Sequence, residues 1–89
     1  MEPNAVYAEP ALKRLYWHSR RGMLELDLLL VPFASTQLAD LTPQELEQYR
    51  ALLAEEDQDL FLWLTRREPA PTPELCAAVA LVLAHAARR

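Results

Sequence analysis

A single glycine, Gly22, is the one residue in a chain of 89 that can adopt left-handed backbone conformations freely. It stands within His-Ser-Arg-Arg-Gly-Met-Leu-Glu-Leu-Asp, residues 18–27, behind two arginines and ahead of two spaced acids. One glycine cannot build a dinucleotide-binding fingerprint or a phosphate-cradling loop. Leucine and alanine, both good helix formers, supply most of the apolar material. The chain is 52% hydrophobic, enough for a modest core without a metal or disulfide staple. These features predict an all-α fold: one small five-helix bundle over residues 1–89, with roughly the first nine residues flexible.

The helix boundaries can be placed from local signals. Pro10 suits a first helical position, and Leu12, Leu15 and Tyr16 follow on one face. Arg20 and Arg21 fit the last turn of that helix, where the dipole is negative, and Gly22 fits a left-handed C-cap. The segment Met23–Ser35 alternates briefly as a strand would, yet it is leucine-rich and has no partner strand, so it is expected to be helical and bent or ended by Pro32. Thr42, Pro43 and Glu45 form a capping box with proline at the first helical position. Asp57 is the expected cap of an aromatic helix carrying Leu60, Phe61, Trp63 and Leu64, with the two rings as core, partner surface or self-association face. After the proline-rich break Arg67–Glu74, Thr72 and Pro73 open a last helix. Its apolar stripe is read as Leu75, Val79, Val82, Leu83 and Ala86, with Arg88 and Arg89 at its end.

Several chemistries lack their residues. The formal charge is −4, which argues against a nucleic-acid binder with a basic face. His18, His85 and Cys76 lie far apart, without zinc-ligand spacing. Cys76, among alanines and valine, is expected to be a small buried residue rather than a nucleophile, and His85 to be structural or dipole-complementing. No catalytic residue and no metal site are expected, so the chain is read as a non-enzyme. The first residues resemble neither a secretory signal nor a transit peptide, and no apolar run is long enough to span a bilayer, so a cytoplasmic protein is expected.

The Arg-Gly corner has two readings. As a plain junction, Gly22 turns the chain while the arginines and Glu25 and Asp27 complement two helix ends, each by about 0.3–1 kcal/mol. As a contact surface, Arg21 and Glu25 project from one exposed edge, with Trp17 one turn earlier than Arg21. An aromatic, an arginine and an acid are the residue types that anchor interfaces. Trp17 taken singly also fits a core position.

The stretch Arg14–Phe33 resembles the succinate dehydrogenase assembly factor family, small proteins that promote covalent flavinylation. Its hallmark Arg-Gly-x-x-Glu is Arg21, Gly22, Met23, Leu24 and Glu25, followed by the acid Asp27. The family's acidic turn and Asp-Leu-aromatic-x-Trp run are similar to Asp59, Leu60, Phe61 and Trp63, so the resemblance covers about residues 12–65. It implies a five-helix bundle, of the bacterial branch, that binds the flavoprotein subunit of succinate dehydrogenase and extends to the related fumarate reductase subunit. The implied partner-binding residues are Arg21, Gly22, Glu25, Asp27, Trp17 and Arg20. FAD is then attached to the partner rather than bound stably here, and the factor acts as a monomer. The rival reading is an antitoxin-like regulatory module using the same corner on a different partner.

Overall fold

In the computed structural model, residues 10–88 are described. The expectations for the first nine residues and for Arg89 lie outside them. Among these residues five α-helices follow one another: α1 (Pro10–His18), α2 (Leu24–Gln37), α3 (Pro43–Leu53), α4 (Asp57–Leu64) and α5 (Pro73–Arg88). A 3-10 turn, Leu38–Asp40, joins α2 to α3, and there is no strand among the described residues. The all-α expectation is met.

The strongest local signals place their helices correctly. The Thr42 hydroxyl accepts the Glu45 N–H at 3.1 Å, while Glu45 Oε1 accepts the Thr42 N–H at 2.9 Å. This reciprocal box fixes the first turn of α3. Thr72 likewise accepts the Leu75 N–H at 3.1 Å at the start of α5. At α4 the expectation is corrected. The cap is Glu56 in extended backbone, without a side-chain cap bond, and Asp57 is already helical. The Asp57 carboxylate is drawn away from the helix end by Arg21.

Two other boundaries move. Helix α1 ends at His18, so Arg20 and Arg21 lie beyond it rather than in its last turn. Helix α2 runs through Pro32 to Gln37, although proline removes one donor from the helical ladder. Packing overrides that loss, because Leu26, Leu30, Phe33 and Ala34 straddle Pro32 on one fully buried face.

Helix α5 lies along α3 and α2, α4 closes against α2 and α5, and α1 leans on α2 and α3. The rings of Phe33 and Tyr49 meet at the centre, 5.1 Å between centroids. The buried stripe of α5 is Leu75, Ala78, Val82 and His85. That is a rotation from the expected stripe, which leaves Val79, Leu83 and Ala86 half-buried. The same rotation exposes Cys76, contrary to expectation, with its thiol 3.2 Å from the Ala70 carbonyl. Trp63 is buried in the core and Phe61 is half-buried under the Arg67 guanidinium.

Two polar links cross this core. The Ser19 hydroxyl donates to the Leu15 carbonyl at 2.8 Å, so with its one proton used it accepts from the Tyr49 hydroxyl at 2.6 Å. That bond joins the end of α1 to α3. The Thr36 hydroxyl donates to the Pro32 carbonyl at 2.8 Å and by the same logic accepts from His85 Nε2 at 3.0 Å. His85 is structural, as expected, and stands edge-on to Phe33.

Helix α4 ends in a Schellman motif whose left-handed residue is Arg66, φ +62°. The Arg67 N–H reaches the Leu62 carbonyl at 2.8 Å, and the Arg66 N–H reaches the Trp63 carbonyl at 3.2 Å. An L-side chain is strained there by about 1 kcal/mol relative to glycine. Arg66→Gly is therefore expected to raise the melting temperature by roughly 4–8 °C, measurable by thermal denaturation.

Candidate functional site

The corner between α1 and α2 is built by Arg21, which ties three parts of the chain together. Its Nε donates to Asp57 Oδ1 at 2.7 Å. Its Nη1 donates to the carbonyls of Leu53 at 2.9 Å and His18 at 3.2 Å, and its Nη2 to that of Glu55 at 2.9 Å. Helix C-termini leave their last carbonyls without intrahelical partners. His18 ends α1 and Leu53 ends α3, so one guanidinium caps two helices and pairs with the first residue of a third. The planar fork of donors suits this set of acceptors, where a lysine would offer a single point charge.

The backbone of the same residue is also held. Asp27 Oδ1, from the first turn of α2, accepts the Arg21 N–H at 2.8 Å. Gly22, next in the chain, has φ +84°, and a Cβ built there would meet no atom within 4 Å. Glycine is therefore required for its backbone conformation and not because its own fold crowds it. Arg21, Gly22 and Asp27 form one rigid unit.

The expected common edge of Arg21 and Glu25 is not what the fold produces. The Arg21 side chain is only 12% exposed, because the carbonyls and Asp57 draw it inward. Glu25 stays exposed on the first turn of α2, with no side-chain hydrogen bond or ion pair among the described residues. The inward arginine thus presents the glycine and the outward glutamate. Trp17 is not core: it is 53% exposed, and the Arg20 guanidinium lies 5.6 Å from its ring centroid.

Some of the site was missed from sequence. Leu24 and Leu28 are 68% and 57% exposed, one helical turn apart and flanking Glu25 in sequence. Their exposure follows once Leu26, Leu30 and Phe33 are buried, since both then fall on the opposite face of α2. Asp57 is an element of the corner through its Arg21 bond, and no local signal marks a pairing across 36 residues.

Beside this unit lie two shallow depressions that share His18. One, about 580 Å³, is lined by Pro10, Lys13, Arg14, Trp17 and His18. The other, about 670 Å³, runs from His18 and Arg21 to the acidic turn of Glu55, Glu56, Asp57 and Asp59. Among the described residues no group of His, Cys, Asp and Glu side chains could hold a metal ion. No helix of the described chain is long and apolar enough to cross a membrane.

Residues 13–86 match the family described as flavinator of succinate dehydrogenase. The chain is 50% identical over 72 residues to an FAD assembly factor, SdhE, of Pseudomonas putida, covering 81% of this chain and 86% of that protein. It is 48% identical over 75 residues to the protein of the same name from Pseudomonas aeruginosa, covering 84% and 89% of the two. Over 61 residues it is 49% identical to a mitochondrial succinate dehydrogenase assembly factor 2 of Yarrowia lipolytica, covering 67% of this chain and 42% of that one. No solved structure gives a significant match. With the family pattern spanning nearly all of the bundle and the Arg-Gly-x-x-Glu corner intact within it, the chain belongs to the succinate dehydrogenase flavinator family.

Proposed function

We propose that this protein docks its Arg21–Asp27 corner against the flavoprotein subunit of succinate dehydrogenase and promotes covalent attachment of FAD to that subunit. The observation that carries this reading is the corner itself. A left-handed glycine with open space over it lies in the same corner as an exposed, unengaged glutamate, next to an arginine whose guanidinium satisfies four acceptors and whose N–H is held by Asp27. Such a surface is preorganised, so little conformational freedom is lost on docking.

The reacting groups belong to the partner: the flavin and the residue that takes it. The factor contributes orientation, holding the partner in a conformation where the two are in reacting geometry. Positioning of this kind lowers a barrier by up to roughly 7–11 kcal/mol in the best intramolecular cases. Gly22 admits close approach of partner backbone, and Glu25 accepts from a partner amide or cation. The factor works as a monomer and non-enzyme in the cytoplasm, and the related fumarate reductase subunit is served by the same corner.

The test is co-expression of a flavoprotein subunit with and without this chain, followed by in-gel flavin fluorescence of the denatured subunit. Covalent flavin is expected to rise with the wild-type factor. Glu25→Ala is expected to remove most of that rise while lowering the melting temperature by only a few degrees, because an exposed carboxylate in the first turn of a helix contributes about 0.3–1 kcal/mol. Full flavinylation with Glu25→Ala would remove Glu25 from the docking surface.

A further inference from the structure

The protein is acidic overall, yet the surface of α1 and the segment that follows it is not. Lys13, Arg14 and Arg20 are exposed, and none of them is in an ion pair among the described residues. Lys13 lies one helical turn before Trp17 on α1, and Arg20, just beyond the helix, brings its guanidinium to 5.6 Å from the ring centroid, so a cation stands on either side of the ring. Arg20 already covers part of the indole, while the rest of it opens onto the depression lined by Lys13, Arg14 and His18. A half-exposed tryptophan framed by unpaired cations is costly to leave bare in water and is the anchor type that dominates interface energetics.

The charge changes sign at His18. On one side lie Lys13, Arg14 and Trp17, and on the other the acidic turn of Glu55, Glu56 and Asp59. The corner sits at this boundary, since the Arg21 guanidinium binds the His18 carbonyl. An acidic surface approaching the corner is attracted on the α1 side and repelled on the other.

We propose that the surface formed by Lys13, Arg14 and Trp17 of α1, with Arg20 just beyond it, receives a carboxylate-rich surface of the flavoprotein, with an apolar group of that surface seated on the Trp17 ring. The proposal rests on the flavoprotein being the partner and adds which charge that partner presents, and on which side of the corner. The α1 face is continuous with the docking corner through His18 and Arg20, so one partner surface covers both. Charge complementarity then sets the orientation in which the corner meets its target, and it speeds encounter more than it tightens the final complex.

The experiment measures affinity and association rate of the purified full chain for the apo flavoprotein subunit at about 0.05 M and about 0.3 M salt, spanning a change in Debye length from roughly 14 to 6 Å. The double variant Lys13→Glu, Arg14→Glu is expected to bind about tenfold or more weakly at low salt, mostly through a slower association rate, with the difference shrinking at high salt. The control Arg67→Glu, Arg88→Glu makes the same change in net charge at the α4–α5 end, and is expected to stay within about twofold of wild type. Trp17→Ala is expected to weaken binding at both salts, with a melting temperature lowered by only a few degrees through the lost edge contact with Tyr16. Equal effects of the two charge pairs, or no salt dependence, would overturn the proposal. So would a wild-type dimer that the Lys13, Arg14 pair dissociates, because the occupant would then be the acidic turn of a second copy. Wild-type chain that fails to bind the flavoprotein at all would sink the functional reading as well. Wild-type binding with unaffected charge variants would sink this inference alone.

Discussion

Arg21→Ala is expected to be the most destabilising substitution in the docking corner, lowering the melting temperature by roughly 10–20 °C. The guanidinium makes four hydrogen bonds, three to main-chain carbonyls and one to a carboxylate. Removing it strands the carbonyls that end α1 and α3 and leaves Asp57 beside them without its counter-charge. Bonds to charged groups contribute about 1.5–3 kcal/mol each where they are shielded. Asp57 is 40% exposed and water replaces part of the loss, so a net effect of about 2–3 kcal/mol is expected. Arg21→Lys should recover at most the Asp57 pair, since an ammonium cannot serve acceptors spread over three segments. Covalent flavin on the partner should fall with both variants, through loss of the corner's shape. A melting temperature within a few degrees of wild type for Arg21→Ala would show that the clamp does not hold the corner together.

Gly22 separates folding from docking. At φ +84°, any L-residue is strained by about 1–2 kcal/mol, whereas the space around its Cβ is empty within the monomer. Gly22→Ala and Gly22→Arg are therefore expected to destabilise the isolated protein by similar amounts and to leave the helical circular dichroism signal nearly intact. Their effects on the complex should diverge. Alanine adds one methyl to the docking edge, while arginine places a long side chain where partner backbone approaches. A loss of binding of about 100-fold or more is expected for Gly22→Arg, with covalent flavinylation close to the level without the factor. If Gly22→Arg binds the flavoprotein as tightly as wild type, the corner is a structural junction and the docking edge lies elsewhere.

The two sets of effects explain why the corner supports both readings drawn from its sequence. Arg21 and Asp27 act as junction residues: one caps helix ends, the other fixes the backbone N–H beside Gly22. Glu25, Trp17, Leu24 and Leu28 are exposed instead. A sequence places an arginine and a glutamate four residues apart, but it does not state which of them turns inward.

Much of the fold was legible because its signals are local. The Thr42–Glu45 box and the Thr72–Pro73 opening satisfy donors within the first helical turn, so short stretches of chain contain both partners. Helix α2 was less legible at Pro32, where burial of Leu30, Phe33 and Ala34 outweighs a local preference to stop. The rotation of α5 was not legible either. Alanine-rich helices offer several apolar stripes of similar quality, and contact with α2 and α3 selects the one through Ala78 and His85, leaving Cys76 outside.

By itself, then, the sequence determined the all-α class, the starts of α3 and α5, the position of the only left-handed glycine and the family to which the chain belongs. The first three depend on residues adjacent in the chain or one turn apart, and the family on a pattern running over residues 13–86. The tertiary structure alone decided that Arg21 points in and Trp17 points out, that Asp57 serves the corner instead of capping α4, and that the cations of α1 stand apart from the acidic turn. Those outcomes depend on which helix faces are buried and on a charge partner 36 residues away, and both are fixed only when the helices pack.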